Sequence, residues 1–189
     1  MPSHSRIEGY AIVSDDGMLA NAAGVMPDAL KIEADRRFFE RGLDSVDVVV
    51  HGRHSHEQQP HSRSRRRLIA TRRIPALAPD PSNDLARLWN PAGATFDEAL
   101  TALGAFDASV GVIGGTDIFG IFMDRYQAFY LSRAAGVRLP GGRPVFPGVH
   151  ARKPEDVLAS HGLVPGARHW LDRDEGLSTN CWFRPRTRG

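Results

Sequence analysis

Short apolar runs closed by turn-forming residues recur along this chain, and between them apolar residues return at helical spacing. The runs predict strands over 8–14, 46–50, 67–71, 109–113, 128–132 and 178–183. Helices are expected over 32–41, 95–103 and 116–123. The second opens with Thr95-Phe96-Asp97-Glu98, the pattern of a capping box. Val46-Asp47-Val48-Val49-Val50 is nearly all apolar, which suits a strand covered on both faces. Strands alternating with helices predict an α/β fold: a mainly parallel twisted sheet with helices on both faces. Residues 15–30 and 51–64 read as long working loops, the latter holding four histidines.

Composition narrows this picture. A chain of 189 residues suits one well-buried core, so a single domain over 1–189 is expected. No stretch approaches about 18 consecutive apolar residues, and residues 1–8 are polar, unlike a signal peptide. The expectation is a cytoplasmic protein with no membrane partner. Cys181, the one cysteine, excludes an intramolecular disulfide and reads as a buried thiol on the last strand. Net charge is only +2, but the base is concentrated at Arg63, Arg65, Arg66, Arg67, Arg72 and Arg73. A nucleic-acid face would interleave aromatics with the base, and this run has none. A solvated loop, or a pocket for one phosphorylated ligand, fits better. A small-molecule partner is expected, with a homodimer left open.

Four motifs carry candidate chemistry. In Val112-Ile113-Gly114-Gly115-Thr116 an apolar strand meets two glycines and a helix start. Backbone N–H groups there suit a phosphate, although the same pattern serves as a tight turn. In Val50-His51-Gly52-Arg53-His54-Ser55 another strand meets glycine, then a fixed cation, a titratable ring and a hydroxyl, a set that suits a phosphate monoester. His54 and His56 could share a strand face, but no acid or cysteine stands at metal-site spacing, so no metal is expected. The third motif places Thr71 and Arg72 at the end of another strand. In a parallel sheet ligands gather at those ends. The fourth is the helix bearing Glu33 and Asp35, where a carboxylate beside Phe38 and Phe39 could hold paired N–H donors or relay a proton. Acids also favour a helix first turn for its dipole alone.

Taken in order, these pieces resemble the dihydrofolate reductase family, and the resemblance implies an antiparallel C-terminal strand beside the parallel sheet. Gly9-Tyr10-Ala11-Ile12-Val13-Ser14-Asp15-Asp16-Gly17 resembles its first strand and mobile loop, and Met26-Pro27 the residues before its active-site helix. Gly52-Arg53-His54-Ser55-His56-Glu57 resembles its cofactor signature, Gly114-Gly115 its glycine pair, and Phe129-Tyr130-Leu131-Ser132 the strand that follows. Asp28 stands where the family has Trp. Counting from Pro27 selects Glu33 as the active-site acid; counting back from Phe39 or Gly52 selects Asp35, which is preferred.

The resemblance implies an NADPH-dependent reductase acting on a pterin such as dihydrofolate. Asp35 would be the catalytic acid, and Ile12, Phe39, Arg65, Ile113 and Ser132 would bind substrate. Gly52, Arg53, His54, Ser55, Thr71, Arg72, Gly114, Gly115 and Thr116 would hold the cofactor, with a cis Gly114–Gly115 peptide. The Ser14-Asp15-Asp16-Gly17 stretch and Gly141-Gly142-Arg143-Pro144-Val145-Phe146 also resemble the reductase domain of riboflavin biosynthesis. That keeps open a ribosylaminopyrimidine or other pterin-like substrate, and a non-catalytic NADP-binding relative.

Overall fold

The computed structural model describes residues 5–55 and 61–186. The chain opens with β1 (Ile7–Val13), β2 (Met18–Ala20), α1 (Glu33–Asp44) and β3 (Val48–Gly52). It continues through β4 (Arg66–Ala70), β5 (Leu77–Pro79), β6 (Ala86–Trp89), α2 (Phe96–Ala102) and β7 (Val110–Val112). The last third holds α3 (Thr116–Ile121), β8 (Ala128–Ala134), β9 (Arg143–Pro144), α4 (Pro154–Ser160), β10 (Val164–Asp172) and β11 (Leu177–Phe183).

Nine strands form one sheet in the order β10-β11-β8-β1-β7-β3-β4-β6-β5. The six from β8 to β6 run parallel to their neighbours. The C-terminal β11 is antiparallel to β8, as the family resemblance implies, and β10 and β5 add antiparallel edges. Alternation along each strand divides the core between two faces. Ile7 and Val13 of β1 join Val48, Val50, Val110 and Val112 under Leu100 of α2, Phe119 of α3 and Leu158 of α4. Tyr10 and Ile12, one residue out of phase, face α1 instead. Helices therefore cover both faces, and Val48-Val49-Val50 is buried throughout because each of its side chains meets one layer or the other.

Local chemistry sets the boundaries. Thr95 and Glu98 close the expected capping box, Thr95 Oγ1 accepting from Glu98 N (3.2 Å) and Glu98 Oε2 from Thr95 N (2.7 Å). β3 begins at Val48 rather than 46 because Asp47 turns aside: its Oδ2 accepts from Ser109 N (2.8 Å) and Oγ (2.7 Å). α1 runs three residues past its expected end, where Leu43 is buried. The sequence reading misses β2, β5, β6, β9, β10 and α4. β2 and β9 pair with each other inside what reads as loop, and β10 is an edge strand whose residues are mostly exposed. No helix among the described residues is long and apolar enough to cross a membrane.

Candidate active site

The first turn of α1 points one carboxylate at the sheet and another away from it. Asp35 faces the side chain of Ser132, which favours its charged form; Ser132 is a β8 residue only 2% exposed. Ser132 pairs in register with Ile12 of β1, and Ile12 packs with Leu30, Ala134 and Leu177, against which Ile32 and Ala34 rest. One turn further along α1, Phe39 meets the Tyr10 ring edge-on (6.4 Å between centroids). Phe39 and Ile113 lie against the same buried group of Tyr10, Leu43 and Val49. Asp35, Ile12, Phe39, Ile113 and Ser132 thus share the α1 side of the sheet. Glu33 instead takes bidentate bonds from Arg36 (both 2.7 Å) and a third from Arg37 (2.9 Å) in solvent.

These surroundings separate the two acids. Burial disfavours the ionised form of Asp35 and raises its pKa to about 6, the Ser132 side chain opposing that rise. Hydrogen bonds from Arg36 and Arg37 lower Glu33 to about 2.

The cofactor motifs also come together, because β7, β3 and β4 are neighbours in the sheet. Gly52 N donates to Gly114 O (2.7 Å), Ile113 N to Val50 O (3.0 Å) and Arg53 N to Ala70 O (3.2 Å). The Gly114–Gly115 peptide is cis, and Gly114 has φ +112°, where L side chains are rare. A Cβ on Gly115 would lie 3.1 Å from Ser55 Oγ. Arg53 and His54 are exposed and touch through Arg53 Nη2 and His54 Nε2 (2.8 Å). Arg72, also exposed, stands 3.5 Å from Asp117 at the start of α3. Thr71 Oγ1 accepts from Arg73 N (3.2 Å). The cradle is therefore narrow at its glycines and cationic at its rim.

Two expected residues sit differently. The Thr116 hydroxyl donates to Pro144 O, so it ties α3 to β9 and its proton is already used there. Arg65 does not join the Asp35 group. Its Nη2 bonds Asp44 Oδ1 at 2.6 Å, at the opposite end of α1. His56 and Glu57 lie outside the described residues. Cys181 is half-buried rather than buried. Among the described residues, no three His, Cys, Asp or Glu side chains are grouped to hold a metal.

Sequence reasoning missed Tyr10 and Tyr130. Their rings stack at 4.9 Å and 13° beside Phe38, and the Tyr10 hydroxyl donates to the buried Glu8 (2.7 Å). The available signal was strand period: each lies two residues before a residue of the site, Ile12 or Ser132, and so shares its face.

No protein-family model matches the sequence, and no curated protein is similar to it in sequence. Solved structures do match in three dimensions. A protein from Shewanella sp. PV-4 described as a riboflavin biosynthesis protein superposes with a TM-score of 0.66 at 18% identity, covering 96% of this chain and 99% of that one. Dihydrofolate reductase from Enterococcus faecalis, solved with NADP(H), superposes at 0.65 and 14% identity, covering 96% and 97%. The chain has the dihydrofolate-reductase-like fold. A pyrimidine reductase-like protein from Corynebacterium diphtheriae shares it too, at 0.65 and 14% identity over 96% and 92% of the two chains. Enzymes for different ring systems thus share this fold, and the substrate must be argued from the site itself.

Proposed function

We propose that this chain is an NADPH-dependent reductase of a pterin-like ring or of a ribosylaminopyrimidine, with Asp35 fixing the heterocycle and supplying the proton. The observation that carries the reading is where Asp35 sits: on the α1 side of the sheet, one turn before Phe39, which packs on Tyr10, and facing Ser132 in the Ile12 register, where burial raises its carboxyl to about 6. Such a carboxylate accepts two parallel N–H donors when ionised and donates a proton when neutral.

The cradle formed by Gly52, Ser55, Gly114 and Gly115 fits a cofactor. A Cβ at Gly115 would press on Ser55, and the exposed Arg53, His54 and Arg72 suit its phosphates. Bound there, NADPH would supply the two-electron reductant. The chain's own residues do the rest. Gly52, Gly114 and Gly115 would admit the cofactor close to the backbone, and Arg53 and Arg72 would bind the added phosphate that NADPH has and NADH lacks. Phe39 and Ile113 flank the ring and keep water from it, while Ser132 orients the Asp35 carboxylate. Asp35 passes a proton to the ring nitrogen beside the reduced carbon. Most of the rate gain expected here comes from position and electrostatics.

A tail-free or aminopyrimidine substrate is favoured over dihydrofolate itself by one observation: the guanidinium placed for a carboxylate-ended tail, Arg65, is already bonded to Asp44. The test is NADPH oxidation by the purified protein with 7,8-dihydropterin, dihydrofolate and a ribosylaminopyrimidine in parallel. Turnover of either of the first and third compounds ahead of dihydrofolate is the expected result. NADPH binding with no turnover of any of the three would leave a non-catalytic NADP-binding protein instead.

A further inference from the structure

A carboxyl that gives up its proton in every turnover has to be reloaded. In the open site solvent reloads Asp35. Once a ring and the cofactor cover the pocket, water is excluded and the proton needs another way in. The sheet beneath Asp35 offers one.

β1, β8, β11 and β10 are neighbours in the sheet, and one row crosses them in register. Ile12 pairs with Ser132, Ser132 with Thr179, and Thr179 with His169. Directly paired residues point to the same face, so Ser132, Thr179 and His169 all lie on the α1 side, where Asp35 is. The Cβ atoms of such pairs stand about 5 Å apart, and Ser and Thr hydroxyls bond across strands at that spacing. The row runs from the interior to solvent: Ser132 is 2% exposed and Thr179 4%, while His169 on the edge strand is exposed.

Thr179 distinguishes this row from ordinary strand packing. Its Oγ1 is buried and has no hydrogen-bond partner among the described residues. An unpaired buried hydroxyl costs stability, and Val would fill the same space on a strand without that cost. What the hydroxyl adds is the ability to accept a proton from one neighbour and donate one to the other. The flanking rows have no such groups. Ala134 and Leu177 on one side are apolar. On the other, Tyr130 is pushed up to about 12 and the Cys181 thiol is raised, both by burial first, so neither ionises near neutral pH. Across from β10, α1 brings Arg37, Arg41 and Glu33 to a recess that Asp172 also lines. Glu33, lowered to about 2, and the two arginines keep their charges while an imidazole titrates.

We propose that His169, Thr179 and Ser132 form a proton path from solvent to Asp35. The His169 imidazolium gives an N–H proton to Thr179 Oγ1, the Thr179 hydroxyl proton passes to Ser132 Oγ, and the Ser132 hydroxyl proton passes to the Asp35 carboxylate. The neutral imidazole then takes a proton from solvent or buffer. Only N–H and O–H bonds change, and no charge is left on either hydroxyl. The proposal rests on the ring-binding reading of Asp35 given above.

The test is single-turnover NADPH oxidation with the fastest of 7,8-dihydropterin, dihydrofolate and a ribosylaminopyrimidine. At pH about 7.5 most Asp35 is ionised when the ring binds, and Thr179→Val should slow reduction about tenfold or more with ring and NADPH affinity unchanged. At pH about 5 Asp35 is loaded beforehand, and the same variant should match the wild type within about twofold. Thr179→Ser keeps the hydroxyl and should match the wild type at both. His169→Ala should lose about fivefold or more at the higher pH and regain it when free imidazole is added; Thr179→Val should not respond to imidazole. The unfolding temperature of Thr179→Val should equal or exceed that of the wild type, which separates a lost proton path from a damaged fold.

Wild-type rates in both variants at the higher pH, an equal loss in Thr179→Val at the two pH values, or no imidazole recovery of His169→Ala overturns the proposal. The ring reading then stands, provided Asp35→Asn is still slow in the same assay. If the wild type turns over none of the three compounds, or Asp35→Asn is as fast as the wild type, the ring reading fails and takes the proposal with it. The exposed His169→Ala and its response to imidazole decide the matter where Thr179→Val does not fold.

Discussion

Glu33 and Asp35 stand two residues apart in the first turn of α1 and titrate in opposite directions. Hydrogen bonds from Arg36 and Arg37 lower Glu33 to about 2, and burial raises Asp35 to about 6. Helix geometry requires this split, since positions two apart point about 160° from each other. Asp35→Asn keeps the shape, removes the charge and replaces an acceptor with a donor. It should lower turnover about a hundredfold or more while NADPH affinity changes little. Glu33→Gln removes only an exposed ion pair and should leave turnover within about twofold. Steady-state kinetics of both variants with 7,8-dihydropterin checks this, and a greater loss in Glu33→Gln would show the wrong acid was chosen.

The same burial sets a pH profile. Proton delivery needs the neutral form of Asp35, whose share falls as pH rises through about 6. In single turnovers the reduction step should decline by about tenfold per pH unit above that point. Asp35→Asn should show a flat, low profile over the same range. A wild-type profile without a break between pH 5 and about 8 would remove Asp35 as the proton donor.

Stability should carry the opposite mark of that raised pKa. The folded value is about 6 and the ordinary carboxylate value 3.8, so between them the folded protein binds more protons than the unfolded chain. Asp35 therefore favours folding at low pH relative to high pH, and its ionisation costs stability as pH rises through about 4 to 6. Asp35→Asn escapes that cost. It should be more stable than wild type by about 3 kcal/mol well above pH 6, with the gap closing toward pH 4. Urea unfolding of both proteins across this range measures the gap, and a gap that does not vary with pH would contradict the burial of Asp35.

Much of this was legible in the chain, and the exceptions share a cause. β1, β3, β7 and β8 could be read because their side chains meet a layer on each face, and that leaves apolar runs. β10 could not, because an edge strand with Arg168, His169 and Trp170 in solvent carries no such run. Strands as short as β2 and β9 exist by pairing with each other, and two or three residues show no period. In the site, Asp35 was legible from its four-residue spacing to Phe39, a local relation. The capture of Arg65 by Asp44 joins two elements 21 residues apart, and that of Thr116 by Pro144 joins two 28 apart. Neither leaves a trace in local pattern. Both change what a side chain can offer a ligand.

Gly9 supports the sheet beneath the site by having no side chain. A Cβ there would lie 2.2 Å from Phe129 Cδ2 and 3.0 Å from Tyr126 Cε1. Phe129 cannot retreat: it is fully buried and packs edge-on against Phe119 and Phe146, with centroids 5.3 and 4.9 Å away. Gly9→Ala should therefore destabilise the protein by about 1–3 kcal/mol, the usual cost of overpacking a core. Gly104→Ala gives the contrast for steric crowding, since nothing lies within 4 Å of its Cβ. Its own cost would come only from φ +68°, about 1 kcal/mol. Thermal unfolding should place Gly9→Ala below Gly104→Ala, and the reverse order would deny the close approach of β1 to Phe129.

Cofactor choice should turn on three side chains at neighbouring strand ends. Arg53 follows β3 and Arg72 follows β4, both exposed, so each can turn toward an added phosphate that NADPH has and NADH lacks. A hydrogen bond to such a charged group contributes about 1.5–3 kcal/mol. Arg53→Ala should therefore weaken NADPH about tenfold or more and NADH little. Arg72 differs, because Asp117 already stands 3.5 Å from its Nη2. Part of its attraction for a phosphate is spent on that carboxylate, and Asp117 also repels the phosphate directly. Arg72→Ala should then cost less than Arg53→Ala, and Asp117→Asn should tighten NADPH by about two- to fivefold without affecting NADH, an effect that fades in high salt. Fluorescence titration of the four proteins with both cofactors tests this directly. Equal wild-type affinity for NADPH and NADH, or Asp117→Asn tightening both alike, would move the phosphate site away from these strand ends.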